Sequence, residues 1–283
     1  MKMFLFVSFL YLSQYALFCQ IFTEKDVEIC KSKYKLAVNT NLKSKPIGDV
    51  IISIGQSFIG TDYKASTLEK EGGEKLVVNL SGLDCTTFLE NVLVFARLIK
   101  KDSATFNNFL SDLTFIRYRD GIIKSYTSRL HYFSDWIFDN VKKNVVEDIT
   151  KDLGGVAVKF QLNYMSSHPA LYKHLRENPS FVPVIQTQED SISARTYFYI
   201  PKNKVYSIEE KLHDGDLIAF TTSVKGLDIG HVGIAVKQRD GRIHLLHAPQ
   251  PDTKVQITKD PLSDYIRNLN KDTGIIVLRA LEP

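Results

Sequence analysis

The hydrophobic positions between residues 85 and 101 recur with the spacing of an α-helix. Phe88 and Val92 mark one face and leucines occupy the others, so the pattern predicts a helix that is buried on most sides. Asp84 occupies the N-cap position before it, and Cys85 therefore falls in the first helical turn. The same spacing predicts three more helices, at residues 23–38, 47–58 and 106–115.

Short apolar and β-branched runs replace the helical pattern after residue 213. An Asp240-Gly241 pair between two of these runs is a typical hairpin signal. A separate run at residues 76–80 predicts a short strand that leads into the turn before Cys85. The strand candidates of the C-terminal part are residues 217–220, 231–236, 242–248, 255–257 and 275–278. Helices combined with a small antiparallel sheet predict the α+β class.

Residues 1–19 have the features of a secretory signal peptide. Lys2 precedes an apolar run that is too short to span a membrane, and Gln20 is a suitable new N-terminus. Lipid attachment through Cys19 is not expected, because bulky Phe18 stands where a small residue is needed. We therefore predict an exported protein that has no stable membrane insertion once the signal is removed.

Residues 20–283 have the length and composition of one globular domain. Proline-punctuated helical pieces at about residues 120–205 predict an elaboration packed on the core, in which His168 and His174 are solvated. The formal net charge is +4 without a clustered basic stripe, which gives no support for nucleic-acid binding. His-Glu-x-x-His and paired Cys-x-x-Cys motifs do not occur in the sequence, so we expect neither a metal nor another cofactor.

Cys85 is the first candidate for chemistry. Free N–H groups and the positive dipole end at a helix start favour a thiolate over a thiol, and they form a pocket that can hold a developing oxyanion. The alternative is that Cys85 is a small core residue, as free cysteines often are. Cys30 is the other cysteine of the predicted mature chain, and a disulfide between the two is not expected.

A cysteine nucleophile needs a base, and the base needs an orienting partner. His231 lies on a predicted strand with Gly233 on the same face, which leaves room beside the histidine for another element. The length of the hairpin loop around Asp240 decides which histidine lies beside His231. A loop with an odd number of residues places His247 on the face of His231, and a loop with an even number places His244 there. The strand pattern by itself leaves both possibilities open.

Residues 128–136 are dense in aromatic and polar side chains. One interpretation makes this block a substrate wall, with Arg129 facing a carboxylate and an aromatic ring facing a sugar or a peptide. The other makes Trp136, the single tryptophan of the chain, an ordinary core anchor.

The chain resembles the NlpC/P60 cysteine peptidases, which are papain-like cell-wall hydrolases, and within them the DUF1460 group of amidases. The resemblance covers most of the mature chain, and the block at residues 128–136 and the long middle region also resemble that group. It rests on five ordered motifs, residues 60–63, 83–88, 214–220, 231–236 and 247–248. It implies a papain-like α+β core in which a nucleophile helix packs on a small antiparallel sheet.

The same resemblance implies roles for individual residues. Cys85 matches the nucleophile, His231 the base and His247 the third polar member, which selects the odd hairpin loop. Pro249 departs from the superfamily pattern, in which a small hydroxyl residue commonly follows the His-Ala pair. The residues implied to bind or surround the substrate are Tyr63, Asp84, Thr86, Arg129, His131 and Trp136.

The implied activity is that of an N-acetylmuramoyl-L-alanine amidase acting on small muropeptides, including anhydro-muropeptides. Together with the leader segment, it places the protein in the periplasm with peptidoglycan fragments as substrates. Cleavage of the D-γ-glutamyl–diaminopimelate bond is the commoner superfamily activity and stays open, since the acyl-transfer chemistry is the same. A papain-like acyltransferase and a non-catalytic peptidoglycan-binding module are further alternatives.

Overall fold

An antiparallel sheet forms the centre of the protein. The structure is a computed structural model that describes residues 20–250 and 253–283, so the predicted signal peptide lies outside the described residues. The strands are β1 (Asp62–Tyr63), β2 (Gly82–Leu83), β3 (Val146–Asp148), β4 (Val156–Val158), β5 (Tyr197–Pro201), β6 (Leu217–Thr222), β7 (Ile229–Lys237), β8 (Ile243–His247), β9 (Gln256–Ile257) and β10 (Asp272–Ala280). The sheet order is β4-β5-β10-β6-β7-β8-β9, and β3 also pairs with β10.

Helices cover both faces of this sheet. They are α1 (Glu24–Asn39), α2 (Ile47–Gln56), α3 (Cys85–Lys100), α4 (Phe106–Arg117), α5 (Phe133–Lys142), α6 (Tyr164–Ser167), α7 (Lys173–Glu177), α8 (Phe181–Ser193) and α9 (Leu262–Arg267). Short 3-10 segments lie at Leu42–Ser44, Arg119–Gly121, Tyr126–Ser128, Pro169–Leu171 and Lys202–Lys211. The arrangement is a mixed α/β fold consistent with the predicted α+β class. Among the described residues, no helix is long and apolar enough to cross a membrane.

The helix α3 is the central helix of the core, as its sequence pattern predicts. The Asp84 carboxylate accepts a hydrogen bond from the Thr87 backbone N–H at 2.8 Å, and the Thr87 hydroxyl accepts one from the Asp84 N–H at 3.0 Å. This reciprocal capping satisfies donors that a helix start otherwise leaves unpaired. The helix then packs against α2, α4 and β7, with every residue from Thr87 to Ile99 buried. The predicted helices at residues 23–38, 47–58 and 106–115 are confirmed as α1, α2 and α4.

The predicted strand at residues 76–80 is wrong. Only Val77 makes a bridge there, to Ile21, and the short parallel pair β1–β2 lies on either side of the segment. The side chains of Leu76, Val78 and Leu80 are all buried in the core of helices. A short apolar run indicates that its side chains are buried, but it does not show that the backbone pairs with a strand.

The middle region adds both strands and helices to the core. β3 and β5 pair with β10, and β4 extends the sheet beyond β5, so the region continues the central sheet. α8 packs on the short helix α6, and its Glu189 accepts a hydrogen bond from the Tyr132 hydroxyl at 2.6 Å. The elaboration is therefore joined to the segment that leads into α5.

A β-bulge interrupts β7 near its start. Ile229 pairs with Thr221 and His231 pairs with Phe220, which leaves Gly230 as an extra residue between two regular pairs. Bulges bend a strand and re-aim the side chains beside them. The bulge thus lies directly before His231, at the point where β7 meets the start of α5.

A buried ion pair connects α3 to its neighbours. Arg117 Nε lies 2.7 Å from Glu90 Oε2, with both side chains 2% exposed, and Arg117 Nη1 donates to the Val77 carbonyl at 2.7 Å. Trp136 Nε1 donates to the other Glu90 oxygen at 3.2 Å. Removing one partner of such a pair leaves an uncompensated charge in the core.

We expect Arg117→Ala to destabilise the protein by about 3–5 kcal/mol, because Glu90 would lose its charge partner inside the core. Urea unfolding followed by circular dichroism measures the change. The matched control is Lys142→Ala, which removes an exposed partner of Asp120 and should leave the urea midpoint unchanged. Equal midpoints for Arg117→Ala and the wild type would show that this pair does not stabilise the fold.

Candidate active site

Cys85 lies at the first position of α3, and its side chain lines a small cavity. Thr86 Oγ1 is 4.0 Å from the thiol sulfur. Asp84 accepts a hydrogen bond from the Thr87 N–H. The backbone N–H groups of Cys85 and Thr86 have no carbonyl partner in the helix, and that of Thr86 donates to the Cys85 sulfur. The site therefore combines a partly exposed thiol with two amide donors at a positive helix end.

The thiol of Cys85 is not stabilised as a thiolate in this site. Burial raises its pKa to about 11, and the neighbouring Asp84 carboxylate acts in the same direction. Hydrogen bonds from the Val232 N–H and from Thr86 oppose the shift without cancelling it. The sequence-based expectation of a thiolate considered only the helix end, and desolvation outweighs that effect here.

His231 and His247 form a hydrogen-bonded pair. Val236 lies opposite His244 in the β7–β8 ladder, and the loop that joins Lys237 to Ile243 has an odd number of residues. Side chains alternate along each strand, so His247 shares a face with His231. The His231 Nε2 and His247 Nδ1 atoms are 2.8 Å apart. The prediction of an odd loop is confirmed.

Gly233 makes this close approach possible. It lies on β7 and faces β8, where a Cβ atom would stand 2.8 Å from the Leu245 side chain and 3.1 Å from His247 Cβ. A larger residue would crowd the Leu245 and His247 side chains on β8. The sequence-based expectation that small residues beside His231 leave room for packing is met at this position.

His244 belongs to a different environment. Its Nδ1 atom is 2.8 Å from the Thr258 carbonyl, and its Nε2 atom is 3.0 Å from Asp240 Oδ2. These contacts hold the hairpin together on the opposite face of β8. His244 is therefore a structural histidine in this fold.

Both histidines of the pair are neutral at physiological pH. Burial lowers the pKa of His231 to about 4, and burial together with the charge of His231 lowers the pKa of His247 to about 3. A neutral pair shares one proton in its hydrogen bond. If Nε2 of His231 donates to His247, then Nδ1 of His231 is free to accept a proton.

The cavity has a volume of about 200 Å³, below the roughly 300–1,000 Å³ of typical ligand sites. It therefore holds only part of a large ligand. Four residues singled out from the sequence line it: Cys85, Thr86, His131 and His231. His247 does not line the cavity, but it contacts His231, which does. Among the described residues, the thiol and the His231 ring share this cavity without a hydrogen bond between them.

Tyr63 and Asp84 lie beside the nucleophile candidate. Burial raises the pKa of Tyr63 to about 12, and the proximity of Cys85 and Asp84 adds to the shift. The Asp84 carboxylate is engaged by the N–H and hydroxyl of Thr87 at 2.8 Å each. Asp84 therefore orders the start of α3, as its predicted N-cap position requires.

The structure does not bring Arg129 and Trp136 into the cavity. Arg129 donates to Glu69 at 2.8 Å and lies 3.3 Å from Glu74, so protein carboxylates already occupy its guanidinium. Trp136 is 1% exposed and stacks on Phe133 at 4.9 Å. It is a core anchor, and the substrate-wall interpretation fails for its ring because the start of α5 turns it inward.

Several cavity residues were not singled out from the sequence. Glu69, Tyr172 and Asp228 all line the cavity. The first two come from loops far away in the chain, where no local spacing pointed to a site. Asp228 stands three residues before His231 and accepts a hydrogen bond from the Ser134 N–H at 2.8 Å, which joins β7 to the start of α5. His174, predicted to be solvated, is buried and stacks on Tyr126.

We expect the rate of Cys85 alkylation by iodoacetamide to rise about tenfold per pH unit from pH 6 to 9, because only the thiolate reacts and the thiol pKa is about 11. Mass spectrometry of the labelled peptides measures the rate. Cys30 is an internal control: it is buried with a pKa of about 12, so it should label more slowly throughout. A rate that is flat above pH 6 would instead indicate a thiolate–imidazolium pair in the resting site.

The comparisons with known proteins define the family. Residues 53–275 match the family model described as AmiA-like, N-acetylmuramoyl-L-alanine amidase-like. This match spans most of the chain, and the chain belongs to this family. No curated protein matches it.

Solved structures agree with the family match. An N-acetylmuramoyl-L-alanine amidase from Bacteroides uniformis is 40% identical with a TM-score of 0.78, and the match covers 83% of this chain and 99% of that one. A putative xylanase from Bacteroides fragilis is 41% identical with a TM-score of 0.74 and coverages of 80% and 98%. A Legionella pneumophila protein of the DUF1460 family is 22% identical with a TM-score of 0.68 and coverages of 92% and 97%, and it shares the fold.

Proposed function

We propose that the protein is a cysteine-dependent N-acetylmuramoyl-L-alanine amidase of the NlpC/P60 type. The observation that carries this proposal is the hydrogen-bonded His231–His247 pair beside the helix-start cysteine, in a chain of the amidase-like family. The substrate is a muropeptide, preferably in the anhydro form. The bond cleaved is the amide between the lactyl carbonyl of N-acetylmuramic acid and L-alanine.

The first step is attack of the Cys85 sulfur on the amide carbonyl carbon. Because the resting thiol is protonated, its proton moves to Nδ1 of His231 as the S–C bond forms. The Nε2–H of His231 donates a hydrogen bond to Nδ1 of His247, which holds the ring orientation and stabilises the imidazolium without taking the proton. Catalytic hydrogen bonds are often long before substrate binds, so the thiol and imidazole come together in the complex.

The negative charge on the carbonyl oxygen develops at the start of α3. The N–H groups of Cys85 and Thr86 are the donors of the first turn that face this charge. The Thr86 N–H contacts the Cys85 sulfur in the resting site and becomes available as the S–C bond forms, and the helix dipole adds to the effect of both donors. The tetrahedral intermediate collapses when His231 returns its proton to the nitrogen of L-alanine, which breaks the C–N bond. A thioester on Cys85 remains. Water, deprotonated by His231, then hydrolyses it to the muramic acid carboxylate and the free thiol.

A papain-like core is part of the proposal. A helix with the nucleophile at its start packs on a strand that bears the base, and the next strand bears the orienting group. This arrangement supports the NlpC/P60 assignment. We further propose that the protein is exported and acts on peptidoglycan fragments in the periplasm, from the leader-like residues 1–19 and the mild charge.

Mass spectrometry of the products from purified anhydro-muropeptides tests the proposal. We expect free anhydro-N-acetylmuramic acid and an intact stem peptide that begins with L-alanine. Release of a peptide that begins with diaminopimelate, with L-alanyl-D-glutamate left on the sugar, would assign the enzyme as a D-γ-glutamyl–diaminopimelate endopeptidase. Products joined to an added amine or alcohol, with no hydrolysis, would assign an acyltransferase. Retained binding without any cleavage would assign a peptidoglycan-binding module.

A further inference from the structure

The cavity wall contains the Glu69 carboxylate, of which one oxygen is hydrogen-bonded and the other is not. Glu69 Oε1 accepts a hydrogen bond from Arg129 Nη2 at 2.8 Å. Glu69 Oε2 is buried and has no hydrogen-bond partner among the described residues, with His174 Nε2 at 4.0 Å. Leaving a buried acceptor unpaired costs free energy. The Glu69 side chain is 30% exposed and lines the cavity, so its carboxylate is within reach of a ligand donor, and a small rotation that brings Oε2 to the ligand would end that cost.

His131 adds a second acceptor to the same cavity. Its Nε2 atom is 2.8 Å from the Tyr126 carbonyl, and a carbonyl can only accept, so the proton resides on Nε2. Burial and the Arg129 charge lower the pKa of His131 to about 3, which keeps the ring neutral. Nδ1 is therefore an acceptor, and it has no hydrogen-bond partner within the part of the chain that the structure describes.

These acceptors stand among aromatic rings. Tyr126 and Tyr172 line the same cavity, and the His131 ring lies 4.3 Å from the Tyr126 ring. Arg129 is held between Glu69 and Glu74, so it offers no free cation to a ligand carboxylate. A cavity with apolar faces and two acceptors fits a ring that carries hydroxyl or amide N–H groups, and it disfavours the acidic part of a stem peptide.

We propose that Glu69, together with His131, binds the hydroxyl or acetamido N–H donors of the muramic acid ring and so selects the sugar side of the substrate. This inference rests on the proposed function. It places the sugar against residues 69 and 131 and leaves the stem peptide outside this part of the cavity. Arg129 acts as a positioning residue, because it fixes the orientation of the Glu69 carboxylate.

The test measures binding without turnover, in a Cys85→Ala background. Calorimetry gives the affinity for N-acetylmuramoyl-L-alanyl-γ-D-glutamate and for the sugar-free peptide L-alanyl-γ-D-glutamate. We expect Glu69→Ala to weaken binding of the sugar-bearing ligand at least tenfold. Glu69→Gln keeps a carbonyl acceptor and should weaken it by less than about threefold. Binding of the sugar-free peptide should be unchanged in both variants.

Two further variants separate recognition from structure. Glu71→Ala removes an exposed carboxylate from the same segment, and its partner Lys173 is also outside the cavity. Glu177→Ala removes a second exposed carboxylate beside Lys173, and Glu177 does not line the cavity. Both should bind the sugar-bearing ligand like the parent, and circular dichroism checks that all variants are folded.

Three outcomes would overturn the inference. They are unchanged affinity in Glu69→Ala, an equal loss for both ligands, and a loss confined to the free peptide in both Glu69 variants. The last result would mean that the Glu69 carboxylate binds the ammonium group of a peptide. That interaction needs the negative charge, which Glu69→Gln removes. Failure of the proposed function would appear separately, as no release of muramic acid from muropeptides by the wild-type enzyme.

Discussion

Replacing Cys85 with alanine should lower kcat/KM for a muropeptide by roughly 10⁴- to 10⁶-fold, because no covalent intermediate can then form. The residual rate over water would come from the amide donors at the start of α3 and from binding. Cys85→Ser should be nearly as inactive, since the poorly basic pair His231–His247 cannot activate a hydroxyl as it activates a thiol. Product formation followed by chromatography measures all three enzymes.

Cys30→Ala is the matched control for this experiment. Cys30 is 1% exposed in the helical core and does not line the cavity. Cys30→Ala should leave kcat/KM within about twofold of the wild-type value. The small void that it leaves in the helical core should lower the free energy of unfolding. Full activity of Cys85→Ala, or of Cys85→Ser, would end the cysteine-hydrolase interpretation.

His247→Ala should lower kcat by roughly 10²- to 10⁴-fold while leaving a measurable rate. The reason is that Nε2 of His231 would lose the acceptor that fixes its tautomer and stabilises its charged form. His247→Asn keeps a side-chain acceptor and should recover part of the rate. KM should change little in either variant, because His247 contacts His231 and does not line the cavity where the substrate binds.

The control for His247 is the other histidine of the same strand. His244→Ala removes contacts to Thr258 and Asp240 on the opposite face, so kcat should fall by less than about tenfold, or roughly 1.4 kcal/mol of barrier. Circular dichroism verifies that both variants are folded. Greater damage from His244→Ala than from His247→Ala would show that His247 does not orient the base.

Local patterns in the sequence predict the helix start of the site, and they narrow the partner of His231 to His244 or His247, between which the family resemblance selects His247. The N-cap of α3 follows from Asp84 standing before a helical pattern, and the face shared by His231 and His247 follows from strand alternation once the loop is odd. Both features are decided within a few residues or across a single hairpin. They do not depend on how the remaining chain packs.

Features that depend on distant packing were not predicted. Nothing near Trp136 indicates that its indole N–H meets Glu90 on α3, and nothing near Glu69 indicates that a loop brings it to the cavity. The raised pKa of Cys85 has the same origin, because burial is created by the whole fold whereas the helix end is local. The segment 76–80 was misassigned since an apolar run does not specify its partners.

Because of the bulge at Gly230, the shape of the cavity depends on the number of residues in β7. Deleting Gly230 would restore regular alternation, so the residues before it would turn to the opposite face of the sheet while His231 stayed in place. Leu227 and Asp228 would then leave the cavity wall, and the link from Asp228 to Ser134 would break. Gly230 itself lines the cavity, so this one-residue deletion would remove one lining residue and re-aim others without changing the identity of any of them.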